Sequence, residues 1–127
     1  MRFEVEKTPT FSLAETLNCG QVFRFREEGG VTLMFAGEHM AEARESAEGY
    51  SFECDDAAFF KKYLDFDTNY DIIQSKVQDE GLVSAAIEFG KGIHILRQSP
   101  EETVFSFLIS QNNHIPRIKG IIDRMCS

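Results

Sequence analysis

Gln21-Val22-Phe23-Arg24-Phe25-Arg26-Glu27-Glu28-Gly29-Gly30-Val31-Thr32-Leu33-Met34-Phe35-Ala36 is the stretch that decides the fold. In its first half Val22 lies opposite in phase to Phe23 and Phe25, the two-residue period of a strand. Glu28-Gly29-Gly30 reads as a turn, and Val31 to Ala36 as a second strand. Upstream, Arg2 to Lys7 alternates in the same way, with Phe3 and Val5 on one face. Between these strands Ser12-Leu13-Ala14-Glu15 carries a capping-box pattern, so a short helix starts there and Gly20 closes it. Downstream, His39 to Ser46 fits a strand or a helix. The strands that flank it, the turn at Glu48-Gly49 and the run Tyr50 to Cys54 select strand. The order is β-α-β-β-β-β, an antiparallel meander.

Beyond Cys54 the period lengthens. Asp55 is placed to cap a helix carrying Ala57, Phe60 and Leu64. A second helix is expected over Tyr70 to Gln78 and a third over Leu82 to Phe89, closed by Gly90. Ile93 to Leu96 is expected to return as a further strand. Ser99-Pro100-Glu101-Glu102 has a cap residue, a proline at the first helical position and a glutamate at the third, a complete capping box. Val104, Phe105, Phe107 and Leu108 make the helix that follows apolar on most sides, so burial is expected. Ile115, Ile118, Ile122 and Met125 stripe a last helix after the polar corner Ser110-Gln111-Asn112-Asn113-His114. The fold class is α+β: a curved antiparallel sheet with packed helices, followed by two helices that look like the start of a longer helical domain.

The chain has 127 residues, 43% of them hydrophobic, which suits one folded domain and excludes disorder. No stretch approaches the ~20 apolar residues of a membrane span, so no membrane role is expected. Cys19, Cys54 and Cys126 are scattered and form no CxxC pattern, so neither a disulfide framework nor a metal site is indicated, and a reduced cytoplasmic location is expected. The formal net charge of -8 argues against simple electrostatic binding of nucleic acid. That charge is uneven: residues 1–90 carry a net -10, residues 91–127 a net +2. A polyanion would meet the C-terminal third.

No constellation of catalytic type is present. His39, His94 and His114 are too far apart for a metal site. Asp55-Asp56 and Glu27-Glu28 read as solvated pairs, and Cys126 as a half-buried structural thiol. No nucleophile elbow, phosphate loop or HExxH pattern occurs. Two segments remain open. Gly20 is either a helix stop or a place where bare backbone meets a ligand. The polar corner is either a connection capped by asparagine or a set of amide and imidazole groups, beside Arg117 and Lys119, presented to bases and phosphates.

The run Phe105-Ser106-Phe107-Leu108-Ile109-Ser110-Gln111-Asn112-Asn113-His114-Ile115-Pro116-Arg117-Ile118 closely resembles the signature at which 8-oxoguanine DNA glycosylases begin their helical domain. Leu96-Arg97-Gln98-Ser99-Pro100 resembles the segment before it. Phe11 to Arg26, centred on Cys19-Gly20-Gln21-Val22-Phe23-Arg24, is similar to that family's lesion-contacting segment. The middle of the chain, roughly 27–90, matches only in pattern.

The resemblance implies an N-terminal sheet domain over 1–98, of the kind also found in TATA-binding protein, and the start of a helix-hairpin-helix domain over 99–127. It implies that the Gly20 carbonyl accepts a hydrogen bond from N7–H of an extruded 8-oxoguanine. Asn112 would fill the gap left by the flipped nucleotide, Arg117 would read the estranged cytosine, and Asn113 and His114 would lend supporting contacts. His114 and Pro116 depart from the family's pattern. The family's nucleophilic lysine and assisting aspartate fall in a segment that follows, so no catalytic residue is assigned here and these 127 residues alone are expected not to turn over. The implied partner is damaged double-stranded DNA, with 8-oxoguanine opposite cytosine. No cofactor or metal is implied, and a monomer is expected, with self-association through exposed apolar helices. A bacterial source would place it at the nucleoid. The alternatives are an alkylated-purine glycosylase and a non-enzymatic docking module built on the acidic first 90 residues.

Overall fold

The computed structural model describes residues 1–77 and 81–127. Phe3 and Val5 alternate with charged neighbours along β1 (Arg2–Glu6), and a short helix, α1 (Leu13–Asn18), follows. Then come β2 (Phe25–Glu28), β3 (Val31–Ala36), β4 (His39–Glu45) and β5 (Gly49–Cys54). They form one antiparallel sheet in the order β1-β5-β4-β3-β2. Glu28 pairs with Val31, so Gly29 and Gly30 alone make the β2–β3 turn, with φ of 58° and 79°. A turn with positive φ at both central residues matches the twist of the strands, and two glycines adopt it without steric cost.

The inner face of the sheet sets large side chains beside small ones. Phe52 lies across from Ala43 and Met34 across from Ala41, all four essentially buried. Phe3 stacks on Phe52 with ring centroids 4.7 Å apart. α2 (Ala57–Tyr63) adds Phe60, and Leu64 follows it; both are fully buried in the same core. Each such side chain stabilises the fold by about 1.5–3 kcal/mol. The cap of α2 is Asp56, whose carboxylate accepts from Phe59 N–H at 2.9 Å, not Asp55 as the sequence suggested. Asp55 instead accepts from the amides of Asp56 and Met40 and lies 3.2 Å from His39. One residue of offset suffices because adjacent aspartates compete for a single cap position.

α3 (Tyr70–Val77) and α4 (Leu82–Phe89) form where the apolar spacing placed them; Gln78, expected in the first of these, lies outside the described residues. α5 (Pro100–Ser110) and α6 (Ile115–Cys126) follow. The expectation that α5 is buried is not met: Val104, Phe105, Phe107 and Leu108 are all more than half exposed. An all-round apolar helix needs neighbours on several sides, and α5 meets α6, the lead-in to β2 and, through Glu102, the β3–β4 turn, which leaves these four side chains uncovered.

Ile93 to Leu96 forms no strand. Its backbone runs extended but is paired with side chains instead of a neighbouring strand. His94 N–H donates to Thr16 Oγ1 (3.1 Å), Ile95 N–H to the Tyr70 hydroxyl (2.8 Å) and Leu96 N–H to Gln21 Oε1 (3.0 Å). Thr16 in turn donates to Gly92 O at 3.2 Å. Periodicity senses burial, not the identity of the partner, so it could not separate this arrangement from a ladder. The segment ends at Arg97, which pairs with the buried Asp65 at 2.9 Å. Asp65 also accepts from Thr68 and Tyr70.

Two outcomes follow. Thr16→Val keeps the shape but strands the His94 amide and leaves the Gly92 carbonyl with Ser12 N–H as its remaining donor, and urea unfolding is expected to show a loss of about 1–3 kcal/mol. Burial by itself would raise the Asp65 carboxyl, but hydrogen bonds from Tyr70, Arg97 and Thr68 outweigh it and hold the group below its ordinary value of 3.8. With the folded value below the unfolded one, the stability it supplies is complete above the unfolded value and is lost as pH falls through the folded one. In acid titrations monitored by circular dichroism, Asp65→Asn is therefore expected to be less stable than wild type at pH 7 and to converge with it as the pH falls through the lowered folded value.

Candidate nucleic-acid interface

Ser12 caps α1 by accepting from Glu15 N–H at 3.3 Å, and the helix ends after a turn and a half. Gly20 follows at φ 91° on the surface. A Cβ there would meet nothing within 4 Å, so the demand for glycine is conformational and the space beside its backbone is open. No donor reaches the Gly20 carbonyl among the described residues. Gln21 fixes what comes next: its amide donates to His94 O (2.8 Å) and its carbonyl accepts from Leu96 N–H (3.0 Å). One side chain thus does the work of a strand pair. This is why regular pairing of β2 begins only at Phe25, although alternation suggested a strand from Gln21.

The corner between α5 and α6 is closed by its own polar groups. Asn113 Nδ2 donates to Ile109 O at 2.7 Å, tying off the C-terminal end of α5. The cap of α6 is His114, whose Nδ1 accepts from Arg117 N–H at 3.4 Å; the expected asparagine cap is not what forms. Pro116 sits in the first turn of α6, where the missing N–H has no helical acceptor to lose. Asn112 is left at φ 56°, a left-handed conformation that asparagine tolerates better than most residues. Asn112, His114 and Arg117 are exposed, Asn113 half-buried, and Arg117 joins no ion pair among the described residues. Lys119, its neighbour in sequence, lies over the Phe25 ring at 3.8 Å. Cys126 is exposed, not half-buried.

What joins the two segments is Phe23. It is 8% exposed and packs with Ile118 and Ile122 of α6 and Ile109 of α5 in a core separate from that of the sheet. Around it, Arg24 binds Glu102, Arg26 lies 3.6 Å from Asp123, and Lys119 covers Phe25. The lead-in to β2 is thereby held against the hairpin, a few residues from Gly20 on one side and one residue from Arg117 on the other. Sequence reasoning missed this. Phe23 and Phe25 share a phase, which assigned them to one face, and Glu102 was assigned to a local box. In the fold Ser99 accepts from Glu102 N–H, while the Glu102 carboxylate binds Arg24 and the Gly37 amide. Nearby, burial pushes the Tyr63 hydroxyl up, and the Glu102 charge adds to the shift. Among the described residues no cluster of three or more metal-ligating side chains occurs.

The model of the family described as 8-oxoguanine DNA glycosylase, N-terminal domain, matches residues 3–104. Among solved structures, that of MBOgg1 in complex with a low affinity DNA ligand is 32% identical, with a TM-score of 0.82 over 93% of this chain and 43% of that one. The 8-oxoguanine glycosylase/lyase of Clostridium acetobutylicum in its apo-form is 32% identical, with a TM-score of 0.77 over 91% of this chain and 45% of that one. The same enzyme with double-stranded DNA containing cytosine opposite 8-oxoG gives 0.78 at 32% identity, over 92% of this chain and 45% of that one. The chain thus spans less than half the length of these relatives.

Phe23→Ala empties the joint between the two segments. Hydrogen exchange is expected to show lost protection in α6 while β3, β4 and β5 keep theirs, because only the second core has been opened.

Proposed function

Because the chain belongs to the 8-oxoguanine DNA glycosylase family, matching its N-terminal domain, we propose that it recognises 8-oxoguanine paired with cytosine in duplex DNA, as part of a glycosylase of base-excision repair. The observation that carries the reading is the joint at Phe23, which packs the lead-in that follows Gly20 against α5 and α6, next in sequence to Arg117, exposed and in no ion pair among the described residues. Normal guanine presents a lone pair at N7 and 8-oxoguanine an N7–H. The Gly20 carbonyl therefore attracts the lesion and repels the normal base. Leaving that carbonyl unpaired in a closed site costs about 1–3 kcal/mol, enough to favour one base over the other.

Extruding a nucleotide costs a few kcal/mol, and the gap needs an occupant. Asn112, at the tip of the corner, fills it. Arg117, in the first turn of α6, donates to the estranged cytosine, and Asn113 and His114 keep the turn in shape through the caps they make. Residues 1–98 supply the lesion side and 99–127 the start of the helix-hairpin-helix side. The enzyme cleaves the glycosidic bond and then the strand, as a glycosylase with β-lyase activity. No lysine of this chain has a place in that step, and these 127 residues alone do not turn over.

Borohydride trapping on an 8-oxoguanine·cytosine duplex separates these statements. The full-length gene product is expected to give a covalent adduct and the 127-residue chain none; an adduct with the short chain would overturn the assignment. In the full-length product, Arg117→Ala is expected to slow excision opposite cytosine by about tenfold or more, the worth of a good side-chain contact to a base, while excision opposite adenine changes less. Equal losses opposite both bases would remove Arg117 from the role of reader.

A further inference from the structure

Gly20 to Phe23 makes no backbone bond to a strand among the described residues; at Arg24 the carbonyl already accepts from Phe35 N–H of β3 at 2.9 Å, and side chains hold both ends. Gln21 holds the near end through His94 and Leu96. The far end is held by a three-way knot. Arg24 Nη1 donates to Glu102 Oε1 and to Gly37 O (3.2 Å), and the other Glu102 oxygen accepts from Gly37 N–H at 3.0 Å. One carboxylate in the first turn of α5 thus ties the β3–β4 turn to the lead-in of β2. The two side chains are half-buried, 28% and 30% exposed. They lie beside the buried Tyr63, and the guanidinium also stands 6.0 Å from the Phe35 ring centroid. A pair this shielded, with both carboxylate oxygens engaged, is a positional constraint of a kind that an exposed ion pair is not.

The knot has no counterpart among the other charges at this joint. Arg26 and Asp123 are more than half exposed and 3.6 Å apart, and Lys119 rests on an aromatic face that would accept it in several positions. Phe23 fixes contact with α6 but, being apolar, sets direction only loosely. Arg24 Nη1, shared between Glu102 Oε1 and the Gly37 carbonyl, and Glu102 Oε2 on the Gly37 amide set it closely.

From this arrangement we infer that Arg24 and Glu102 are positioning residues for recognition: the pair sets how far the Gly20 carbonyl stands from the Asn112–Arg117 corner, and so couples lesion reading to reading of the opposite base. The inference rests on the function proposed above. Neither residue touches DNA. They act through the backbone of residues 20–23, where a displacement of about 1 Å at a reacting site can cost on the order of a hundredfold.

The test uses the full-length gene product in single-turnover excision on four duplexes, 8-oxoguanine or guanine opposite cytosine or adenine. Arg24→Ala, Glu102→Ala and the double variant are compared with Arg24→Lys, which keeps the charge but loses the planar guanidinium beside Phe35 and Tyr63. Melting temperatures are measured alongside. Expected is a fall of about tenfold or more in the ratio of rates opposite cytosine and adenine for each single variant, no further fall in the double variant, and no rescue by lysine. Folded variants that keep the wild-type ratio, whatever their melting temperatures, overturn the inference, as does an additive double variant. Wild-type protein with no preference for 8-oxoguanine would instead overturn the functional reading on which it rests, and the two failures are read from different samples.

Discussion

The packing of one phenylalanine ring decides how this molecule is assembled. Phe23 leaves the sheet core that Phe25 occupies and enters a second, smaller core with Ile109, Ile118 and Ile122. Without that contact the links from α5 and α6 to the sheet would be polar ones: the ion pairs at Arg24 and Arg26, the Glu102–Gly37 bond and Lys119 over Phe25. With it, the segment after Gly20 is packed against the two helices that flank the corner before Arg117. A glycosylase that flips a base must hold both the extruded nucleotide and its abandoned partner, so two contacts fixed relative to each other are what the chemistry asks for.

A second constraint runs beneath the first. The segment 93–97 lies between the sheet domain and α5 and is held by side chains of Thr16, Gln21 and Tyr70 and by the carbonyl of Tyr63. Each of these partners is on a different element. Thr16 lies in α1, Gln21 two residues after its C-cap, Tyr70 at the head of α3 and Tyr63 at the end of α2. A strand ladder would have bound the segment to one neighbour; the side chains bind it to four. That ties Gln21, next to Gly20, to the segment that leads into α5, and it makes polar side chains, not only apolar ones, part of what defines the fold.

Legibility in the sequence divides along physical lines. Strands β1, β3 and β5 and the caps at Ser12 and Ser99 are encoded by neighbours in the chain, and they were read from it directly. The turn at Gly29-Gly30 was read for the same reason. The strand expected at Ile93, the cap expected at Asp55 and the burial expected for α5 were misread, because each depends on what stands opposite in space. Phe23 is the sharpest example: nothing local separates it from Phe25. At the site, Gly20 and the polar corner were visible as two unexplained features. Composition and period left each with a bland alternative, and only resemblance to a family supplied roles for Gly20, Asn112 and Arg117. The structure adds what neither supplied, namely that His114 and Asn113 serve as caps and that Arg24 and Glu102 span 78 residues of sequence.

The central claim is that Gly20 and the Asn112–Arg117 corner form one DNA interface. The most direct measurement is backbone amide chemical-shift mapping of the isotopically labelled full-length gene product, titrated with an 8-oxoguanine·cytosine duplex and with its guanine·cytosine counterpart. The account predicts shifts at Gly20–Gln21 and at Gln111–Arg117 together, with the lesion-dependent part concentrated at Gly20. Shifts confined to the outer face of the sheet, or present at one of the two segments and absent at the other, would contradict it.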